Sequence, residues 1–355
     1  MMEIAACINL KDRTVGYYNH RIDPVSMVIR KLKSNSDINA IIEAKSMVFC
    51  NSIFPSDYIN SSCCLIVIVP DDYKYSQRLA LYDFCKTQND ISFFRVISMT
   101  RALALSVENA HDKNIICIDY NNKILSCCGL EIGDGVYEVF ETFFVQFEKA
   151  GPDNIANKIK QSMKDACIYN STPRHNHSSW QHYAEAYFTP DNPFMQDIRD
   201  FLKSIGVRKM RTISNEDILN NTLLWWVRIS TKKESKLLLD QIPYEINTAH
   251  EISIKKDTTI PTSITKEFTT VKDKQEFADI PLVIEYLGLN RNELIGVYSI
   301  KINSSNKTEN DIIQIETFCD ADGIISVNAL MKNDKKTYRY HLTGPMQGSG
   351  RDGNR

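Results

Sequence analysis

The stretch Leu65-Ile66-Val67-Ile68-Val69-Pro70 is an apolar run that ends at a proline, and the helix-like stretch Ser76–Thr87 follows it. A run of β-branched residues bounded by a turn signal predicts a buried strand, so the two stretches predict a strand–helix pair. The same alternation continues on both sides, which predicts an α/β domain over residues 1–235. The predicted strands are Ile4–Leu10, Cys64–Val69, Ile115–Ile118 and Val136–Phe140, and the predicted helices are Ser76–Thr87, Ile155–Cys167, Phe194–Ile205 and Glu216–Ile229.

The chain beyond residue 240 has another pattern, made of short runs rich in Ile, Val, Thr and Tyr with turn signals between them. This pattern predicts an antiparallel all-β domain over residues 241–343. The predicted strands are Glu251–Ile254, Ser263–Thr270, Leu282–Tyr286, Val297–Ile302, Ile312–Thr317, Ile324–Ala329 and Thr337–His341. We predict an interdomain linker at residues 236–240. Residues 344–355 are rich in Gly, Ser, Arg and Asn, and we predict that they form a flexible tail.

The composition is that of an ordinary globular protein. The chain has 355 residues, of which 43% are hydrophobic, and this length predicts two domains. Its net charge is −2, so the chain as a whole has no excess of positive charge that would attract nucleic acid. The spacing of the ten cysteines fits neither a secreted disulfide framework nor a zinc ribbon. No secretory leader begins the sequence, and the longest apolar run is too short to cross a bilayer. We therefore expect a cytoplasmic protein without a membrane span, whose cysteines act as small apolar residues.

Several segments, in order along the chain, resemble segments of the seventy-kilodalton heat-shock chaperones, the Hsp70 or DnaK type. In the α/β part they are Leu65–Pro70 with Ser76-Gln77-Arg78, Arg95-Val96-Ile97, and Glu131-Ile132-Gly133-Asp134-Gly135-Val136-Tyr137-Glu138-Val139. The run Leu237-Leu238-Leu239-Asp240 is similar to the family's interdomain linker. In the β part they are Asp257–Thr262, Glu267–Thr270 and Asp320-Ala321-Asp322-Gly323-Ile324. The resemblance implies a reduced, actin-like (ribonuclease H-like) ATPase-type domain followed by a substrate-binding β-sandwich without a helical lid.

The resemblance places two phosphate-binding loops on this chain, and both have changed. In the first loop, Asn9 stands where the family has a metal-side carboxylate, and Lys11 stands where it has a glycine. In the second loop Asp119 is retained, but the three glycines are replaced by Asn121, Asn122 and Lys123. Glycine lets a phosphate loop approach its ligand and present backbone N–H groups. We therefore expect a pseudo-ATPase, which is not an enzyme and needs neither a cofactor nor a metal.

The family's peptide groove maps, by the same resemblance, onto Ile246, Phe268, Val271, Ala278 and Ile280. Ala278 stands where the family has a branched residue at the centre of the pocket. The pocket is therefore expected to be wider than in the family, which weakens the expectation that it holds client peptide and favours a protein partner instead.

Three functions fit these observations, and the first is favoured. The chain resembles the atypical, lidless members of fungal ribosome-associated complexes, which implies a non-catalytic cochaperone or scaffold at the ribosome or nascent chain, with a J-domain partner. The alternatives are a nucleotide-independent holdase that binds unfolded peptide, and a chaperone with residual ATP binding. Residues 332–355 carry six Lys or Arg against two Asp, so the basic tail is a candidate RNA contact.

Overall fold

The computed structural model describes residues 4–18, 27–50, 63–107, 113–146, 157, 161, 183–190, 192–204, 206–230, 237–249, 251–269, 277–301, 312–331 and 336–341. The fold divides into two compact units. The first comprises Met1–Tyr73 with Leu81–Leu239, and the second comprises Lys74–Ala80 with Asp240–Arg355. Within the described ranges, none of the helices has the length and apolar character needed to cross a bilayer.

The first unit begins with a five-stranded sheet. Its strands are β1 (Ile4–Asn9), β2 (Thr14–Tyr18), β3 (Met27–Lys31), β4 (Cys63–Val69) and β5 (Ile91–Ser98), in the order β3-β2-β1-β4-β5. Strands β1, β2 and β3 form an antiparallel meander, whereas β4 is parallel to both β1 and β5. All seven residues of β4 are buried, as the apolar run around Ile66 predicts for a parallel strand with neighbours on both sides.

The second sheet of this unit repeats that topology. Its strands are β6 (Lys113–Asn121), β7 (Ile124–Gly133), β8 (Val136–Gln146), β9 (Tyr183–Phe188), β10 (Lys209–Thr212) and β11 (Leu237–Leu239), in the order β10-β9-β6-β7-β8-β11. Strands β6, β7 and β8 form the antiparallel meander. Strand β9 is parallel to β6, and β10 is parallel to β9. Strand β11 lies within the predicted linker, residues 236–240. Its residues Leu237–Leu239 pair in parallel with Val136–Glu138 of β8.

Five helices are described. They are α1 (Asp37–Cys50), α2 (Tyr75–Lys86), α3 (Met99–Leu105), α4 (Met195–Ser204) and α5 (Asn215–Ser230). Helices α3 and α5 pack on each other and share one core with residues of both sheets. Trp225 of α5 is buried in that core, and the ring of Trp226 stacks on Phe93 with 3.7 Å between centroids. The tryptophan pair therefore contributes to packing within the first unit.

The second unit is a sandwich of two four-stranded antiparallel sheets. One sheet has the order β13-β12-β15-β16 and the other β14-β17-β18-β19. The strands are β12 (Glu245–Thr248), β13 (Glu251–Ile254), β14 (Thr262–Thr269), β15 (Phe277–Tyr286), β16 (Arg291–Lys301), β17 (Ile312–Cys319), β18 (Ile325–Met331) and β19 (Lys336–His341). Thr248 and Thr317 share a buried hydrogen bond of 3.2 Å that joins β12 of the first sheet to β17 of the second.

The predicted secondary structure agrees with these elements in most places. The mixed, strand-rich α/β class and each of the seven strands predicted beyond residue 250 are confirmed, with ends that shift by a few residues. The prediction missed the helices α1 and α3 and several strands, including β5 and β12. The predicted helix Ile155–Cys167 falls almost wholly outside the described residues, as do Val271 and the tail. Eight cysteines of the described ranges are free and buried, which agrees with their expected role as small apolar residues.

Candidate functional site

The ends of β1 and β6 bring together, around Asp119, the two loops that the resemblance assigns to phosphate binding. Asp119 is fully buried, and its Oδ1 atom lies 2.5 Å from the Nζ atom of Lys11. Thr189, which follows β9, donates a hydrogen bond of 2.6 Å from its Oγ1 atom to the same oxygen. The Lys11 side chain retains only 13% of its accessible surface. The ammonium group of Lys11, in the first loop, therefore forms an internal ion pair with the carboxylate of Asp119, in the second.

Asn9 holds the first loop in place. Its Oδ1 atom accepts a hydrogen bond of 3.0 Å from the backbone N–H of Lys11, and its Nδ2 atom donates one of 2.9 Å to Asp12. An asparagine that bonds to the backbone two residues ahead stabilises a turn locally. Asn9 is buried, so it serves to fix the turn from which Lys11 extends toward Asp119.

The tip of the β6–β7 hairpin retains the backbone shape of a tight turn without glycine. Asn122 and Lys123 have φ angles of 47° and 66° and are both exposed. Two-residue hairpin turns of type I′ have positive φ at both central positions, which asparagine tolerates better than most residues. Asn121, one residue earlier, donates a hydrogen bond of 3.1 Å from Nδ2 to Asp72. The tip therefore has the backbone shape of a tight hairpin turn with side chains on both of its central residues.

A second buried polar cluster lies close to Asp119. Asp71, at the end of β4, accepts hydrogen bonds from the backbone N–H and the hydroxyl of Thr100 and forms an ion pair of 3.4 Å with Arg101. Arg101 is 2% exposed and also donates to Thr142 over 2.8 Å. Burial raises the pKa of Asp71 to about 6; the positive charge of Arg101 opposes that rise, and the negative charge of Asp119 adds to it.

The chemistry available to this arrangement is limited by its internal pairing. In the described part of the chain no group of three or more His, Cys, Asp or Glu side chains could hold a metal ion. The Oδ1 atom of Asp119 already contacts Lys11 and Thr189. These residues are suited to holding the two hairpins together.

The predicted peptide-groove residues lie on both sheets of the second unit. Ile246 lies on β12, while Ala278 and Ile280 lie on β15, and all three are buried with 9% exposure or less. Strand β12 pairs with β15, and Ile246 lies opposite Ile284. Ile284 is four residues further along β15 than Ile280, so Ile246 and Ile280 are not direct neighbours across the two strands. Phe268 is half-buried on β14 of the other sheet, opposite Ile313. Ala278 and Ile280 therefore share one face of a strand, and Val271 lies outside the described residues.

Three residues of the site were not predicted from the sequence. Thr189, Asp71 and Arg101 lie far from the phosphate loops along the chain and have no motif of their own. Asp71 directly follows Leu65–Pro70, and polar residues after the end of a parallel strand often face a site. That position is the one signal that could have identified Asp71 in advance.

Comparison with known proteins gives a partial match. No curated protein sequence matches the chain. The segment that does match a family begins near the end of α5 and includes β11 and the strands of the second unit. Residues 227–352 match the family model described as Hsp70 protein, and this match supports membership of the Hsp70 family.

Proposed function

We propose that this chain is a non-catalytic, chaperone-like member of the Hsp70 family that acts as a cochaperone or scaffold. The observation that carries the proposal is the ion pair of 2.5 Å between Lys11 and the buried Asp119. It lies at the positions that the resemblance assigns to the two phosphate loops. An ammonium group fixed there neutralises the retained carboxylate, so a metal-bound nucleotide would have to displace it.

The topology of the first unit supports an actin-like layout for the degenerate domain. Both of its sheets have an antiparallel meander followed by parallel strands, and the loops at issue follow β1 in one sheet and β6 in the other. Asn9 and Asp119, the last or nearly last residues of those central strands, are both fully buried. The proposal is therefore that the chain keeps the architecture of the ATPase domain and uses it as a binding scaffold.

We expect Mg-ATP at millimolar concentration to leave the thermal unfolding of the intact protein unchanged. A ligand present at about 100 times its Kd would stabilise the folded state by about 2.7 kcal/mol, which a thermal shift measurement detects easily. An Hsp70 protein with intact phosphate loops serves as the positive control. A clear upward shift with Mg-ATP, absent with Mg²⁺ alone, would establish residual nucleotide binding and remove the basis of the proposal.

The proposed setting is the cytoplasm, at the ribosome or nascent chain, with a J-domain protein as the partner. The six basic residues of segment 332–355 supply a candidate contact to RNA, and such contacts weaken steeply with salt. We expect the intact protein to co-sediment with ribosomes at low salt and to be released at high salt. If ribosomes never co-sediment and the protein instead binds unfolded peptide tightly, the holdase function should replace this one.

A further inference from the structure

Asp71, at the end of β4, is a carboxylate with almost no access to water. Its side chain is 1% exposed, and that of its ion-pair partner Arg101 is 2% exposed. The two charges are 3.4 Å apart, from Nη1 to Oδ1, whereas hydrogen bonds between such charged groups are usually about 2.7–2.9 Å long. The Nη2 atom of Arg101 instead donates to Thr142 over 2.8 Å. The guanidinium is therefore shared, and it compensates the buried charge of Asp71 only in part.

A second buried carboxylate acts on Asp71 from β6. The side chain of Asp119 is 1% exposed, and its negative charge opposes the ionisation of Asp71. The ammonium group of Lys11 lies 2.5 Å from Asp119, so this cation is engaged by the other carboxylate. Asp71 is therefore attracted by a shared guanidinium and repelled by a buried carboxylate.

The other titratable groups on the elements around this cluster add no positive charge. They are two thiols and two carboxyl groups: Cys117 of β6, Cys127 of β7, Glu141 of β8 and Asp72 of the turn after β4. The two thiols are buried, and burial raises their pKa well above its usual range, so they stay uncharged near neutral pH. Asp72 accepts a hydrogen bond of 3.1 Å from Asn121. None of this set compensates the charge of Asp71.

Burial outweighs the groups that favour the ionised form of Asp71. It is the largest influence, and with the charge of Asp119 it raises the pKa of Asp71 to about 6. Arg101 and the hydrogen bonds from the hydroxyl and backbone N–H of Thr100 act in the opposite direction. In an unfolded chain the pKa of aspartate is about 3.9. The folded state therefore binds this proton more tightly than the unfolded state does.

We propose that Asp71 is a proton-binding site through which mildly acidic solution stabilises the first unit. A proton held more tightly in the folded state gives stability that is complete below about pH 4 and is lost as pH rises through about 6. Glu185 is the opposite case: burial raises its pKa, but hydrogen bonds, led by that of Lys113, lower it to about 2. The stability that Glu185 contributes is lost only at lower pH. The proposal goes beyond the scaffold function and does not depend on it.

The test is urea denaturation of the intact protein at pH values from 7 to 5, followed by tryptophan fluorescence. All three tryptophans of the chain belong to the first unit, so this signal reports its unfolding. Asp71→Asn keeps the shape of the side chain and removes the proton site. Relative to this variant, the folding equilibrium constant of the unsubstituted protein should rise about tenfold from pH 7 to pH 5. Asp90→Asn is the matched control, since the side chain of Asp90 is 43% exposed, and it should keep that rise.

Two neighbouring substitutions should move the effect in opposite directions, and they decide the matter if Asp71→Asn does not fold. Asp119→Asn removes the repelling charge, so the gain in stability should appear at lower pH. Thr100→Val removes a hydroxyl that donates to the ionised carboxylate, so the gain should appear at higher pH. The proposal is overturned if Asp71→Asn has the pH dependence of the unsubstituted protein, or if neither neighbouring substitution moves the pH at which the gain appears.

Discussion

Replacing Lys11 by methionine is expected to lower the free energy of unfolding by about 3–5 kcal/mol, since it removes one partner of a buried ion pair. Methionine keeps the length and apolar part of the lysine side chain but not its charge. Asp119 is 1% exposed and would then keep a hydrogen bond only from Thr189. The loss should be measured by urea denaturation of the intact protein, followed by circular dichroism.

Two further variants show whether the loss comes from the ion pair. Asp119→Asn in the Lys11→Met background removes the uncompensated charge and should restore most of the lost stability, which gives a large coupling energy in the double-mutant cycle. Lys45→Met is the matched control, because Lys45 forms an ion pair of 2.7 Å with Asp90, whose side chain is 43% exposed. Its cost should be below about 1 kcal/mol. Equal costs for the two lysine variants would mean that the Lys11 pair is an ordinary surface contact.

Tyr75→Ala should produce a loss of similar size in the second unit. Tyr75 is 1% exposed, and its ring packs edge-to-face on Tyr244 with 6.4 Å between centroids. Its hydroxyl oxygen accepts a hydrogen bond of 2.8 Å from the backbone N–H of Ile325. Truncation of a buried aromatic residue leaves a cavity and costs about 3–5 kcal/mol. Chemical denaturation of the intact protein, monitored by tyrosine fluorescence, measures this loss.

The conservative variant separates packing from hydrogen bonding. Tyr75→Phe keeps the ring but leaves the N–H of Ile325 without this acceptor, so it should cost about 1–3 kcal/mol. Ser76→Ala is the matched control, because Ser76 is exposed and bonds to Glu293 through its backbone N–H, which the substitution keeps. If Tyr75→Ala costs no more than Ser76→Ala, then Lys74–Ala80 contributes little to the second unit. In that case residues 241–343, predicted to be a separate domain, should fold equally well without that segment.

The elements that were predicted correctly are those whose local pattern and final environment agree. The run Leu65–Val69 is apolar without interruption, and all of it is buried between two parallel neighbours. In the second unit, alternation along Ile312–Thr317 corresponds to a strand with buried and half-buried residues in turn. Burial on one or both faces of a sheet imposes these periods directly, so they can be recognised without the tertiary structure.

The elements that were missed have weaker patterns. Strand β5 carries Arg95 within its span, and β12 is a strand of four residues, Glu245–Thr248, with only two of them buried. Helix α1 has Ile38 and Ile42 exposed, so its apolar residues do not mark a single face. Their secondary structure follows from pairing with neighbours that are distant along the chain, and a short window of sequence does not contain that information.

The sequence by itself, through its resemblance to the Hsp70 family, predicted which residues stand at the phosphate-loop positions: Asn9, Lys11, Asp119, Asn121, Asn122 and Lys123. Only the tertiary structure decided that Lys11 neutralises Asp119, because 108 residues separate the two and their distance depends on how the two sheets pack. Strand pairing in the second unit follows the same rule. The residues of β15 and β16 are local, but pairing of Val283 with Leu294, and of Glu245 with Glu285, depends on strand register. Register is set by contacts across the whole sheet, which no single stretch of sequence contains.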